Sequence, residues 1–120
     1  MTDRIRFITH HGKQILFVDV SNCPPSEVAT VARAVPEYVT IEPRNSVLLL
    51  VDFTGASFDP ETVRTMKESA VFDKPYIRKS AWIGASNYLE DVHEQLEAFS
   101  RRDLPIFSSF EEAATWLAKD

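Results

Sequence analysis

The sequence has few cysteines and few glycines, and each shortage excludes a class of site. Cys23 is the only cysteine, so an internal disulfide cannot form and a cysteine-based metal site is excluded. The three glycines, Gly12, Gly55 and Gly84, match no glycine-rich phosphate-binding loop. A single thiol suits a reducing compartment, and we therefore expect a cytoplasmic protein. We also expect no cofactor.

Long apolar runs and an excess of positive charge are missing as well. The longest unbroken apolar run is Val47–Val51, whereas a membrane-spanning helix needs about 20 such residues. The first residues contain no apolar core, so we expect no signal peptide and no transmembrane segment. Thirteen Lys and Arg against eighteen Asp and Glu give a net charge of −5, which disfavours nucleic acid as a partner.

The segment from Val47 to Glu61 is the one around which the other predicted strands and helices are arranged. Five apolar residues ending at Asp52 indicate a strand that is buried on both faces. A polar turn follows, and then Asp59 and Pro60 begin a helix as cap and first helical residue. Strand, turn and helix form half of a βαβ unit, and such turns often carry function in α/β proteins.

Periodicity predicts the remaining elements on either side of this unit. Two short β runs, Arg4–Thr9 and Ile15–Val20, flank a turn and predict an N-terminal hairpin. Further strands are predicted at Tyr76–Ala85 and Leu104–Phe107. Helical spacing predicts four helices with these buried faces: Val28, Val31, Ala32 and Val35; Val63, Met66 and Ala70; Leu89, Val92, Leu96 and Phe99; Phe110, Ala113, Ala114 and Leu117.

Capping residues and prolines predict where these helices begin and end. Ser26 or Asn22 is expected to cap the first helix, and Pro36 to stop or kink it, so that Ile41 packs as the chain crosses back. Asn87 with Glu90 has the spacing of a capping box ahead of the third helix. Ser108 or Ser109 is expected to cap the fourth helix in the same way. Arg101 and Arg102 are expected to complement the dipole at the end of the third helix.

The order β-β-α-β-α-β-α-β-α predicts an α/β fold in a single domain, residues 1–120. We expect a mostly parallel, open sheet of four to five strands with four helices, in which the N-terminal hairpin supplies one antiparallel edge strand.

The polar groups at the ends of the strands are the candidate ligand contacts. Thr54 and Ser57 could donate hydrogen bonds to an anion at the following helix, although turn formation is the default interpretation. Ser86 and Asn87 occupy the equivalent place after the next strand. Asp52 could be a phosphoacceptor or a metal-binding carboxylate, but we favour a structural role in which it accepts hydrogen bonds from its own turn.

The histidines and tryptophans are the remaining candidates for functional residues. His10 and His11 are neighbours in a turn and are expected to point apart, and His93 is expected on a solvated helix face, so no metal site is predicted. Trp82 and Tyr76 share one phase of their strand. Core packing is the default interpretation for Trp82, and the alternative is the wall of a pocket or an interface.

Three stretches resemble the STAS and SpoIIAA-like domains, in particular the small stand-alone bacterial proteins of STAS/SEC14 type. They are VLLLVDFTGASF at 47–58, KPYIRKSAWIGAS at 74–86 and LPIFSSFEEAATWL at 104–117. The resemblance implies an open sheet with helices in a bacterial cytosolic protein. In anti-sigma-factor antagonists of this family, a partner kinase phosphorylates a Ser or Thr at the start of the helix after the central strand. Pro60 stands at that place here, and the nearest hydroxyls are those of Ser57 and Thr62.

We therefore expect a non-enzymatic binding or regulatory module that acts through a protein partner, a homodimer or a small apolar ligand. A carrier of a lipid-like ligand is one alternative, and two others stay open. One is a phospho-regulated protein of the anti-sigma-factor-antagonist type, which would be modified at Ser57 or Thr62. The other is a small enzyme with its site around Asp52, Ser57 and Ser86, although no catalytic constellation is recognisable in the sequence.

Overall fold

The computed structural model describes residues 4–84 and 87–119, with residues 87–90 described by their backbone alone. The predicted element order is confirmed, with one added 3₁₀ turn at Lys74–Tyr76. The elements are β1 (Ile5–His10), β2 (Lys13–Asp19), α1 (Pro25–Val39), β3 (Val47–Asp52), α2 (Pro60–Asp73), β4 (Ile77–Ile83), α3 (Asn87–Ser100), β5 (Ile106–Phe107) and α4 (Phe110–Ala118). Within the described ranges, no helix is both long and apolar enough to cross a bilayer.

The sheet has the strand order β1-β2-β3-β4-β5, which is also the order along the chain. β1 pairs antiparallel with β2 through the predicted hairpin, and the other neighbours are parallel. Because right-handed crossovers that advance in one direction place their helices on one face, α1, α2 and α3 lie together on the same side of the sheet. Helix α4 follows the last strand and covers the opposite face.

Alternation along the strands sends side chains to two separate cores. In β3, Leu49 and Val51 face the three-helix side, while Leu48 and Leu50 face α4. From Lys79 onward β4 alternates in the same way, so that Trp82 lies in the larger core and its neighbours Ala81 and Ile83 lie against α4. Ile77, which the alternation predicts on the side of Ala81, packs in the larger core instead, because the pairing with β3 shifts by one residue after it. β3 is therefore buried on both faces, which confirms the interpretation of its unbroken apolar run.

Helix α1 departs from the prediction at both ends. Neither Ser26 nor Asn22 caps it, because the helix begins at Pro25 after Pro24, and no side chain in the described ranges caps it. Pro36 does not stop the helix, which continues to Val39. Proline has no N–H for the carbonyl four residues earlier, and here the Ser69 hydroxyl of α2 donates to that Ala32 carbonyl at 3.0 Å. A neighbouring helix thus supplies the missing donor.

Among the side chains that the structure describes, three apolar ones that were expected to be buried are exposed. Ile41 is 77% exposed, Phe99 56% and Phe110 39%. At the start of α4 the alternatives are resolved in favour of Ser109, which accepts a hydrogen bond from the Glu112 N–H at 3.2 Å. The proposed capping box at Asn87 and Glu90 lies outside the described side chains.

Candidate functional site

A cavity of about 80 Å³ lies within the larger core, between the sheet and the three helices. Its wall is almost entirely apolar and comes from β2, β3 and β4 on one side and from α1, α2 and α3 on the other. The residues of this wall include Val18, Leu49, Val51, Phe53 and Trp82 from the sheet side, and Val28, Val31, Ala32, Met66, Ala70 and Leu96 from the helices. Ser69, Asp73 and Arg102 are the polar exceptions in the wall.

Asp73, the last residue of α2, places a carboxylate in this apolar surrounding. The residue is 3% exposed, and its Oδ1 atom accepts no hydrogen bond from any residue that the structure describes. A buried polar atom without a partner is destabilising by roughly 1–3 kcal/mol, more for a charged group. An orphaned acceptor in the wall of a cavity is therefore the feature of this molecule that most needs a chemical explanation.

Burial changes the acid–base behaviour of this carboxyl. Desolvation raises the pKa of Asp73 to about 7, and the positive charge of Arg102 opposes the rise. Near neutral pH the group is therefore divided between a carboxylate, which only accepts hydrogen bonds, and a carboxylic acid, which can also donate one.

Arg102 is held in place at the same end of the cavity. Its guanidinium donates to the Ala70 carbonyl at 3.0 Å and to the Ser80 hydroxyl, so it joins the end of α2 to β4. Desolvation lowers the pKa of Arg102, and the nearby Asp73 charge opposes this shift. The expectation that Arg102 serves the dipole of its own helix is wrong, because the side chain turns inward.

Sequence reasoning missed this polar pair. Asp73 stands before Lys74 and Pro75 and is typical of a helix terminator, and Arg102 follows a second arginine in a helix end. One signal was available: Ser80 shares the strand phase of Trp82, and if Trp82 packs in the core, the Ser80 hydroxyl is buried too and needs a partner.

Trp82 forms part of the cavity wall. It is 3% exposed, and its ring lies 4.5 Å from the ring of Phe53 and 5.5 Å from that of His93. His93 is half-buried instead of solvated. Its Nε2 contacts the Leu104 carbonyl and lies 3.3 Å from the Glu97 carboxylate. The ring of His93 thus links α3 to the segment before β5.

The polar turn that follows β3 lies at the surface. Asp52 accepts a hydrogen bond from the Thr54 N–H at 2.9 Å, which confirms its structural role in the turn. Asp59 caps α2 by accepting from the Thr62 N–H at 2.7 Å, and this bond lowers the pKa of Asp59. The side chains of Thr54 and Ser57 are exposed and do not belong to the cavity wall.

The other residues that the sequence singled out do not form one site. Thr62 is 2% exposed and its hydroxyl donates to the Pro25 carbonyl at 3.0 Å, so this hydroxyl holds α2 against α1. Asn87 begins α3, but its side chain and all of Ser86 lie outside the described residues. Cys23 is 1% exposed, and desolvation raises the pKa of its thiol, which disfavours the nucleophilic thiolate.

Gly55 lies where the turn after β3 packs closely against the loop between β2 and α1. Its φ of +72° is left-handed, and a Cβ there would lie 2.2 Å from the Asn22 Oδ1. We expect Gly55→Ala to lower the free energy of unfolding by about 2–3 kcal/mol in urea denaturation, from backbone strain and this contact together. Gly12→Ala is the matched control, because Gly12 has a φ of +77° but no atom of the described residues lies within 4 Å of the added Cβ. Equal losses for the two variants would show that the contact with Asn22 costs nothing.

A second surface runs between α2 and α3. A groove of about 620 Å³ is lined by apolar and charged side chains, among them Val63, Lys67 and Phe99. Val71 and Phe72, on α2, are 45% and 56% exposed. The Lys67 ammonium lies 5.6 Å from the centre of the exposed Phe99 ring.

Comparison with models of known protein families, with curated proteins and with solved structures found no match to this chain.

Proposed function

We propose that this chain is a non-enzymatic binding module of the STAS type, and that its ligand is a short apolar molecule with one neutral hydrogen-bond donor. The observation that supports this most directly is the orphaned Asp73 Oδ1 in the wall of the apolar cavity. A donor on a bound molecule would satisfy that oxygen, and the apolar remainder would lie against Val31, Leu49 and Trp82.

The size of the cavity limits the ligand to a few heavy atoms. An apolar cavity of about 150 Å³ in another protein stays dry and accepts benzene. The volume here, about 80 Å³, is roughly half of that, so a long acyl chain does not fit without displacement of a helix. A short-chain alcohol or amide therefore fits this cavity better than the lipid-like ligand that the sequence suggested.

The charges at the polar end of the cavity further restrict the ligand. Arg102 lies at the same end as Asp73, and its positive charge disfavours an ammonium group there. A neutral hydroxyl or amide N–H can donate to Asp73 without this repulsion. Because donation favours the ionised carboxylate, and because the pKa of Asp73 is raised to about 7, such a ligand should bind more tightly at pH 8 than at pH 5.

Calorimetric titration with a series of straight-chain alcohols from ethanol to hexanol tests this proposal. We expect one site, an optimum at a short chain length, and affinity at least roughly tenfold above that of the ether of equal size, which cannot donate. Ala32→Leu should abolish binding because it fills the cavity. Ala34→Leu is the matched control, since Ala34 is also a partly buried alanine of α1 in the same core but lies outside the cavity wall.

Three results would overturn the proposal. The first is absence of binding across the series at pH 8. The second is equal affinity for alcohols and ethers, which would remove the role of Asp73. The third is unchanged binding in Ala32→Leu, which would place the site elsewhere. Circular dichroism of both leucine variants establishes that loss of binding is not loss of the fold.

A further inference from the structure

Two adjacent histidines and a glutamate converge where the β1–β2 hairpin meets α4. His10 ends β1, His11 begins the turn and Glu111 lies in the first turn of α4. Each offers one ligand atom, and these three atoms lie within 4.8 Å of one another. We propose that His10, His11 and Glu111 bind a divalent transition metal ion of the zinc class.

Left-handed backbone at the turn brings the two imidazoles together. The residues were expected to point apart, as neighbours do in a strand, and this expectation is wrong. His11 has a φ of +49°, so its side chain is turned back towards that of His10. The ring centres lie 4.2 Å apart with an angle of 11° between the planes. The turn therefore gathers two potential ligands that an extended strand would separate.

Two residues of α4 contact the His10 ring and hold its position. The Thr115 hydroxyl lies 3.3 Å from the His10 Nε2, and the Phe110 ring meets the imidazole edge-on at 6.2 Å. When Nε2 carries the proton and donates to Thr115, the lone pair on Nδ1 is free to bind a metal. A hydrogen bond of this kind on the second ring nitrogen is usual for histidines that ligate metals, because it fixes the tautomer and the ring orientation.

The donor set selects the class of ion. Two imidazoles and one carboxylate suit Zn²⁺, Co²⁺, Ni²⁺ or Cu²⁺, whereas Mg²⁺ and Ca²⁺ prefer oxygen ligands alone. Three protein ligands leave at least one coordination position for water. In a tetrahedral zinc site the ligand atoms are about 3.4 Å apart, as follows from metal–ligand distances near 2.1 Å. The three side chains must therefore close by roughly 1.4 Å at most.

The local surroundings allow that closure. His11 and Glu111 are exposed and His10 is half-buried, so rotation of the two exposed side chains does not disturb the core. Because a metal lies in the plane of each imidazole that binds it, the stacked rings must tilt away from parallel. Metal binding is therefore expected to change the environment of both rings, and it would join the hairpin to α4.

Calorimetric titration of protein without a polyhistidine tag tests this site, with ZnCl₂, NiCl₂ and MgCl₂ as the probes. We expect one Zn²⁺ per chain at micromolar affinity, binding of Ni²⁺, and none of Mg²⁺. His11→Ala and Glu111→Gln should each weaken zinc binding at least tenfold. Glu112→Gln is the matched control, because Glu112 is the next exposed carboxylate on α4 and lies outside the cluster. NMR should show zinc-dependent shifts of the ring protons of His10 and His11.

Two outcomes would contradict the metal site. One is millimolar or multisite zinc binding, which is the behaviour of adventitious surface sites. The other is an equal effect of Glu111→Gln and Glu112→Gln. Both glutamine substitutions are at exposed positions and keep helix-forming residues, so a loss of affinity in one of them alone is not explained by unfolding.

Discussion

Replacing Arg102 with methionine should lower the free energy of unfolding by about 3–5 kcal/mol at pH 8, because two buried acceptors lose a donor and a buried carboxylate loses the opposite charge that acts on it. The guanidinium is the opposite charge that acts on Asp73, and it also donates to the Ala70 carbonyl and the Ser80 hydroxyl. Methionine fills much of the same space but supplies no donor and no charge. The carboxylate is then buried without compensation, and two further acceptors lose a partner.

Urea denaturation at pH 8 and pH 5 measures this effect. The loss should be smaller at pH 5, because Asp73, with a pKa of about 7, is then protonated and no longer a buried charge. Arg101→Met is the matched control, since it removes the neighbouring exposed arginine and should change stability by no more than about 0.5 kcal/mol. The double variant Arg102→Met with Asp73→Asn should recover part of the loss. Equal losses in Arg101→Met and Arg102→Met would refute the inward role of Arg102.

Stability should also depend on pH through Asp73, in the direction opposite to that of most carboxylates. Burial raises its folded-state pKa to about 7, whereas an unfolded aspartate titrates near 3.9. Between these values the folded state binds more protons than the unfolded state. The contribution is therefore fully present below about pH 4, falls as the pH rises towards 7 and is lost above that. A shift of roughly 3 units corresponds to at most about 4 kcal/mol.

Asp73→Asn isolates this contribution, because asparagine resembles the protonated side chain at every pH. We expect the variant to match the wild type near pH 4 and to be more stable by up to about 4 kcal/mol above pH 7. Asp103→Asn, which removes an exposed carboxylate next to Arg102, is the control for the loss of one negative charge. Denaturation curves that keep a constant separation from pH 4 to pH 9 would show that Asp73 titrates normally in the folded state.

The variants Arg102→Met and Asp73→Asn also bear on the proposed ligand-binding site. Proteins retain a buried carboxylate that lowers stability at neutral pH more readily if that carboxylate contributes to function. If Asp73→Asn is more stable at pH 8 but no longer distinguishes alcohols from ethers, stability and binding conflict at this position. That result would support Asp73 as the polar end of the proposed ligand site.

The order of the elements was predictable because it depends on local pattern. The unbroken run Val47–Val51 and the alternation through Trp82 state which faces are buried, whatever lies against them. Asp59 and Ser109 cap helices through bonds to residues only three positions away. Such features need no knowledge of distant parts of the chain.

The candidate sites could not be predicted in this way because they depend on contacts between distant residues. Asp73 and Arg102 meet only after α2 and the segment beyond α3 pack together, and in the sequence both have ordinary surface interpretations. His10 and His11 converge because one residue adopts a left-handed φ, and Glu111 is brought there by the last helix. Phe99 and Phe110 follow the buried spacing, but the neighbouring elements cover them only in part.

The position of α4 has a consequence for folding during synthesis. Helices α1, α2 and α3 cover the first face of the sheet as they appear, each between two strands of the sheet. The second face, with Ile15, Phe17, Leu48 and Leu50, stays bare until residues 110–118 have left the ribosome. For that interval the nascent chain displays a strip of apolar side chains beside unpaired strand backbone. A chaperone that recognises such strips would bind this chain until its last helix arrives and displaces it.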